Sequence, residues 1–180
     1  VIKIEKFSSQ TEADFYFMAK AFAERGSTDD PKGKIIAQSS VGAVIAEKSQ
    51  LVTASANVLP PRLKETYIAS AQEVTDSDRY HVIEHAERAA IFKAFHMHAD
   101  MANATIYCTR FPCSDCARAI VWAGIKRAVF AGGFAGEKRW LSAQRAALKI
   151  LRDSGVKVRY LSGGSMDTVG LSQRMKEPEA

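Results

Sequence analysis

The sequence predicts an α/β fold, a three-layer α-β-α sandwich around a mixed five-stranded sheet. Three observations carry this. Two apolar β-prone runs, residues 41–46 and 51–55, flank four polar residues in the manner of a hairpin. Downstream, strand and helix signatures alternate as β-α-β-α-β, the order that sets parallel strands side by side with helices as crossovers. The chain has 180 residues, 47% hydrophobic and 25% charged, which suits one core. Split in two, each half would be near the lower limit for burying a core of its own.

Taken in order, the first element is a helix. Phe15, Met18, Ala19, Phe22 and Ala23 fall at i, i+3, i+4, i+7 and i+8. Gly26 and Pro31 stop it, and the polar stretch to Lys34 reads as a loop. After the hairpin, a polar stretch from Pro60 to about Asp78 is too long for a passive connection. It reads as a lid or a partner surface, and a lid is favoured because it leads straight into a histidine motif. A helix over about 84–98 follows, with Ala86, Ala90, Ala94 and Met97 on one face. Next come a strand at 105–109, a helix over about 113–122 closed by Gly124, and a strand at 126–130. A helix over 138–153 ends at a Gly155 cap. In the last strand Val156, Val158 and Tyr160 alternate with Lys157 and Arg159. One domain is expected over 1–162, and the Gly/Ser-rich, then charged, tail over 163–180 is expected to fray.

Composition narrows the function. Disordered and collagen-like chains are excluded. With 25 Lys+Arg against 20 Asp+Glu the net charge is +5, which favours anionic partners such as phosphates. Nucleic acid is disfavoured, because no basic stripe is interleaved with aromatic residues. Three cysteines are too few for a disulfide scaffold and point to metal or catalytic thiols in a reducing cytoplasm. No stretch approaches the roughly 20 apolar residues that cross a bilayer, and residues 1–7 alternate apolar and charged, unlike a secretory leader. A cytoplasmic protein with no membrane partner is expected.

Two short motifs carry chemistry: His85-Ala86-Glu87 and Pro112-Cys113-Ser114-Asp115-Cys116. Cys113, Cys116, Ala117, Ile120, Val121 and Gly124 share one helical face, so both sulfurs point inward one turn apart, as two ligands of one metal must. The proline fixes the helix entry, and the free N–H groups of the first turn lower thiolate pKa. His85 opens the preceding helix. If the two helices lie side by side, one His and two Cys surround one catalytic Zn²⁺ per chain and leave a fourth position for water. Glu87 is too close to His85 to be an easy fourth ligand, yet it reaches that position and suits a general acid/base role.

Other readings compete residue by residue. A thioredoxin-like redox pair would use the cysteines but leaves Glu87 and the hairpin unexplained. A non-catalytic zinc module that binds partners would ordinarily close the fourth position with another Cys or His. Cys108, mid-strand, reads as a small core residue. His81 reads as a pocket or exposed lid residue, and His96 and His98 as helix-end residues, which leaves too few ligands for a second zinc. Arg62, Lys64 and Arg110 are the candidate phosphate contacts, each with a solvated charge as the alternative. Lys149, Arg152, Lys157 and Arg159 read as a solvated face. Phe134 and Trp140 bracket the glycines 132, 133 and 136, where burial, a pocket wall or a subunit contact would each fit.

The chain resembles the cytidine and deoxycytidylate deaminase superfamily, and is most similar to its deoxycytidylate branch. The resemblance rests on Val41-Gly42-Ala43-Val44-Ile45, Asn57 and Pro60, His85-Ala86-Glu87, and Thr109 through Cys116. It continues through Cys116-Ala117-Arg118-Ala119-Ile120, Ala123-Gly124-Ile125-Lys126-Arg127 and Gly155-Val156. It implies a cytidine deaminase-like fold with zinc on His85, Cys113 and Cys116 and a proton shuttle at Glu87. Asn57 would hydrogen-bond the sugar and Ala86 would offer its backbone to the base. The implied reaction is hydrolytic deamination of a cytosine nucleotide to the uracil product and ammonia, in a homo-oligomer. Two positions depart from the branch: Val58 follows Asn57 where glycine is usual, and Ala89 stands where asparagine is usual. His-Ala-Glu-Arg-x-Ala is closer to free-nucleoside cytidine deaminases. The same chemistry on free cytidine, a guanine-type base or transfer-RNA adenosine therefore stays open.

Overall fold

The computed structural model describes residues 6–36, 39–133 and 138–161. Phe134, Gly136 and the 163–180 tail lie outside the described residues. Strands Gly42–Glu47 (β1), Gln50–Ala56 (β2), Thr105–Cys108 (β3), Arg127–Phe130 (β4) and Lys157–Tyr160 (β5) form one sheet in the order β2-β1-β3-β4-β5. β1 is antiparallel to both of its neighbours, and β3, β4 and β5 run parallel. The mixed five-stranded sheet is thus as expected. Lys48 and Ser49 turn the hairpin with φ of 45° and 68°. Positive φ at both turn positions matches the twist of the flanking strands, although neither residue is the usual Asn or Gly.

Helices cover both faces. On one side lies Gln10–Glu24 (α1), which packs Ala13, Phe17, Met18 and Ala21 against Val44, Ala46, Tyr107 and Val129. Burying Phe17 and Met18 stabilises the fold by about 1.5–3 kcal/mol each. The helix approaches so closely that a Cβ on Gly42 would lie 1.9 Å from the Ala21 carbonyl oxygen, so only glycine fits there. On the other side lie Ala86–His96 (α5), Ser114–Trp122 (α6) and Lys138–Asp153 (α7). Their Ala90, Ile91, Ala94, Ala117, Ile120, Ala147 and Leu151 pack on Ile45, Ile106, Cys108, Ala128 and Phe130. Gly155 takes φ +73° beyond α7, as the cap reading required.

Three expectations need correction. The stretch to Lys34 holds a helix, Pro31–Ile35 (α2), because Asp30 caps it from Lys32 N–H and Pro31 sits in its first turn, where a proline starts a helix instead of ending one. The stretch from Pro60 carries Pro61–Ala69 (α3) and Arg79–Val82 (α4), and a Val58–Glu84 bridge closes its two ends. Pro61 opens α3 in the same way. Met97 does not join the buried face of α5, since the helix ends at His96 and Met97 is 64% exposed.

Candidate active site

Both metal-type motifs sit at helix starts. His85 is the N-cap of α5 and Cys113 that of α6, each with extended backbone, and Cys116 lies in the first turn of α6, fully buried. The packing of α5 beside α6 brings these starts together. His85 Nδ1 lies 3.6 Å from Cys113 Sγ and 3.4 Å from Cys116 Sγ, and the two sulfurs are 3.6 Å apart. Bonds of about 2.3 Å to sulfur and 2.0–2.1 Å to nitrogen put tetrahedral ligands roughly 3.5–3.8 Å apart, so three corners fit zinc. Among the described residues, His85, Cys113 and Cys116 form the group able to hold a metal ion.

The three side chains shift one another's acidities. The close Cys116 sulfur, and then His85, hold the Cys113 thiol down at about 4 despite its burial. Its contact with Cys113 pushes His85 up to about 9. Cys116 is pushed well above its ordinary value by Cys113 and by burial. Glu87 is 4% exposed, and burial raises its carboxyl above the usual carboxylate range. A carboxyl displaced toward neutrality beside a metal corner suits proton transfer in both directions.

Behind the corner, one oxygen of Glu84 accepts from His85 N–H at 2.9 Å and from Arg88 Nε at 2.6 Å. Arg88 in turn lies 3.5 Å from Asp115 on α6. Glu84, Arg88 and Asp115 thereby tie the two helix starts together. Their acid-base spacing carries no sequence signal distinct from ordinary surface pairs, and sequence reasoning missed them.

A cavity of about 430 Å³ opens on this corner, at the carboxyl end of β3 and β4. Besides His85, Glu87 and Cys113 it is lined by Asn57, Ala86 and Arg110. Among the named phosphate candidates only Arg110 lines it. Arg62 is exposed on α3, and Lys64 pairs with Asp29 at 2.8 Å. Among the described residues, Lys32 and Arg79 are further cations on its wall, which the sequence did not single out. Tyr80 and Ile83 join Arg79 on the wall, so the end of the 58–84 segment forms one side of the cavity. Trp140 and Gln144 of α7 close another side. Cys108 is a buried free thiol, as expected of a core residue, and His81, His96 and His98 are exposed.

A three-cornered zinc site, a buried carboxylate beside it and a cavity over both define a metal-dependent hydrolase. Residues 11–132 match the family described as the cytidine and deoxycytidylate deaminase zinc-binding region, and the chain belongs to that family. It is therefore a zinc-binding deaminase, a hydrolase of a C–N bond. The chain is 29% identical over 153 residues to the deoxycytidylate deaminase of Mus musculus, spanning 83% of this chain and 81% of that protein. It is also 29% identical over 133 residues to the deoxycytidylate deaminase of Homo sapiens, spanning 72% and 70%. The crystal structure of the dCMP deaminase from the cyanophage S-TIM5 superposes with a TM-score of 0.63 at 19% identity, over 84% of this chain and 99% of that one. That likeness shows the shared fold.

Proposed function

We propose that this protein deaminates deoxycytidylate or a closely similar cytosine nucleotide to the uracil product, with His85, Cys113 and Cys116 as zinc ligands and Glu87 as proton carrier. The single observation that carries the reading is the corner itself: three ligand atoms within 4.8 Å of one another, with the buried Glu87 carboxyl beside them. When bound there, zinc supplies a Lewis acid that lowers the pKa of a coordinated water to about 7. Glu87 takes the proton of the attacking water as it adds at C4 of the base. The same carboxyl passes that proton to the ring nitrogen, then takes the second from the C4 hydroxyl of the adduct and gives it to the departing amine, so that the C–N bond breaks, water is consumed and ammonia is released. The Ala86 backbone, on the cavity wall at the start of α5, faces the base, and Asn57 holds the sugar. Arg110 and Lys32 are the cations that would meet a 5′-phosphate. The curated relatives named deoxycytidylate deaminase support the substrate.

An ammonia-release screen across deoxycytidylate, cytidine, deoxycytidine, cytosine and guanine tests the substrate. Preference for deoxycytidylate is the expected result, and faster turnover of a free nucleoside or base would overturn it.

A homo-oligomer in a reducing cytoplasm completes the reading. Phe92 and Phe95, each 52% exposed, extend the face of α5 that carries Arg88, and Trp122, 86% exposed, extends the face of α6 that carries Asp115 and Arg118. The Arg88–Asp115 contact joins these faces into one stripe suited to a second copy. Sedimentation should give a dimer or larger assembly that Trp122→Glu dissociates, and a monomeric parent protein would count against it. The zinc thiols support the compartment, since they must stay reduced to hold metal.

A further inference from the structure

One buried pair on the cavity wall has no role in the chemistry above. Asp30 and Arg79 are 6% and 8% exposed. Arg79 Nη1 donates to both Asp30 oxygens, at 2.8 and 2.6 Å. Arg79 Nη2 donates to the Tyr80 hydroxyl at 2.7 Å, and its guanidinium lies 4.3 Å from the centre of that ring. The cation is thus matched by a carboxylate and committed to neighbours, which makes it a poor phosphate ligand.

The pair's other end is informative. Asn57 Nδ2 donates to Asp30 Oδ2 at 3.1 Å, and Asn57 Oδ1 accepts from the Val41 N–H at 2.9 Å. A backbone N–H can only donate and an ionised carboxylate can only accept, so these partners fix which end of the amide is which. A flipped amide would set oxygen against the Asp30 carboxylate and NH₂ against the Val41 N–H. The Asn57 backbone is pinned as well, its carbonyl accepting from Thr28 Oγ1 at 2.9 Å and Asp29 N–H at 3.1 Å. Asp30 itself is held by Lys32 N–H at 2.9 Å.

We propose that Asp30 and Arg79 are positioning residues, which lock the Asn57 side chain in the one orientation that serves a sugar hydroxyl of the substrate. This rests on the reading of Asn57 as the sugar contact. Arg79 anchors Asp30 through its two hydrogen bonds, Asp30 fixes the amide, and Asn57 lines the cavity with one Nδ2 hydrogen and one Oδ1 lone pair to spare. The arrangement also joins function to the cavity wall. Arg79 belongs to the 58–84 segment while Asp30 opens α2, so seating that segment and setting the sugar contact are one event. A site built to hydrogen-bond a hydroxyl discriminates against the analogue that lacks it, because its polar groups are then left unpaired.

The test compares 2′-deoxycytidylate with 2′,3′-dideoxycytidylate, which lacks the sugar hydroxyl. The parent enzyme should favour the hydroxylated substrate in kcat/KM by roughly tenfold or more. Asp30→Asn and Arg79→Lys should each bring that preference within about threefold, mainly by lowering the rate on deoxycytidylate. A variant that slows both substrates equally and keeps the preference would overturn the proposal in favour of a merely structural pair. Should a single variant fail to fold, the double variant Asp30→Asn/Arg79→Gln removes both charges together and supports the same comparison. If the parent enzyme turns over neither compound, the substrate reading fails and the relay is read in the free protein. Asn57 side-chain amide protons, assigned by their loss in Asn57→Asp, should exchange slowly with solvent in the parent and faster in Asp30→Asn. Unchanged exchange would overturn the relay.

Discussion

The sheet separates two buried charge clusters that differ in one respect. On the α1 face Asp14, fully buried, accepts from Arg127 at 2.8 and 2.6 Å, from Arg159 at 2.6 Å, and from Tyr107 and Gln10 at 3.0 Å. Every lone pair of that carboxylate has a donor. Burial alone would raise its pKa, and the Arg127 hydrogen bonds overrule it and hold Asp14 below its ordinary value. On the opposite face His85, Cys113 and Cys116 bring three metal-type ligand atoms within 4.8 Å of one another beside the cavity. A closed cluster has nothing left to offer a ligand and contributes to folding. The open one depends on a metal and can act on a substrate.

The largest expected effect sharpens the open side. Glu87→Gln keeps shape and metal and should lower kcat by about 10²–10⁴, the usual contribution of a positioned acid/base group. Ammonia release alongside zinc content by atomic absorption decides it, and near-normal turnover would remove Glu87 from the mechanism. Next comes the closed side. Asp14→Asn strips the counter-charge from two arginines and should cost about 3 kcal/mol or more, a fall in Tm of roughly 10 °C. The kcat of the protein that stays folded should not change, because the cluster lies across the sheet from the cavity. A parallel fall in kcat would break the separation of the two regions.

Acidity divides them further. Asp14 binds its proton less readily folded than unfolded, so its stabilisation is complete above the ordinary Asp value of about 3.9 and is lost as the pH falls through the lower folded value. Denaturant melts between pH 5 and 2 should show a steeper loss for the parent protein than for Asp14→Asn. In the metal-free corner at pH 7, His85, pushed up to about 9, and Cys116, pushed higher than a free thiol, hold protons, while Cys113, at about 4, does not. Zinc binding should therefore release about two protons, counted by calorimetry in buffers of different ionisation heat. A count near zero would mean the corner is already stripped. The smallest effect belongs to the exposed Lys149–Asp153 pair, where Lys149→Ala should cost under about 0.5 kcal/mol.

Legibility followed the range of the interactions. Pro112-Cys113-x-x-Cys116 and His85-x-Glu87 could be read directly, because helix starts and ligand spacing are local properties. The hairpin and the alternation after it were equally open, since apolar runs of strand length reflect burial on a sheet. Pro31 misleads because one residue type both ends and begins helices, and Asp30 alone distinguishes α2. Among the phosphate candidates, Arg62 and Lys64 lie on α3 and off the cavity wall, a placement that no local sequence feature signals.

By itself, then, the sequence determined the strand and helix segments and the two motifs His85-x-Glu87 and Cys113-x-x-Cys116, each built from neighbours a few residues apart on one element. Only the tertiary structure decided which cations face the cavity and that Asp30, Asn57 and Arg79 form one relay. These residues come from three segments, separated by 27 positions from Asp30 to Asn57 and 49 from Asp30 to Arg79. No local periodicity or propensity spans such distances, and the pairing exists only once the 58–84 segment has folded back to the start of α2.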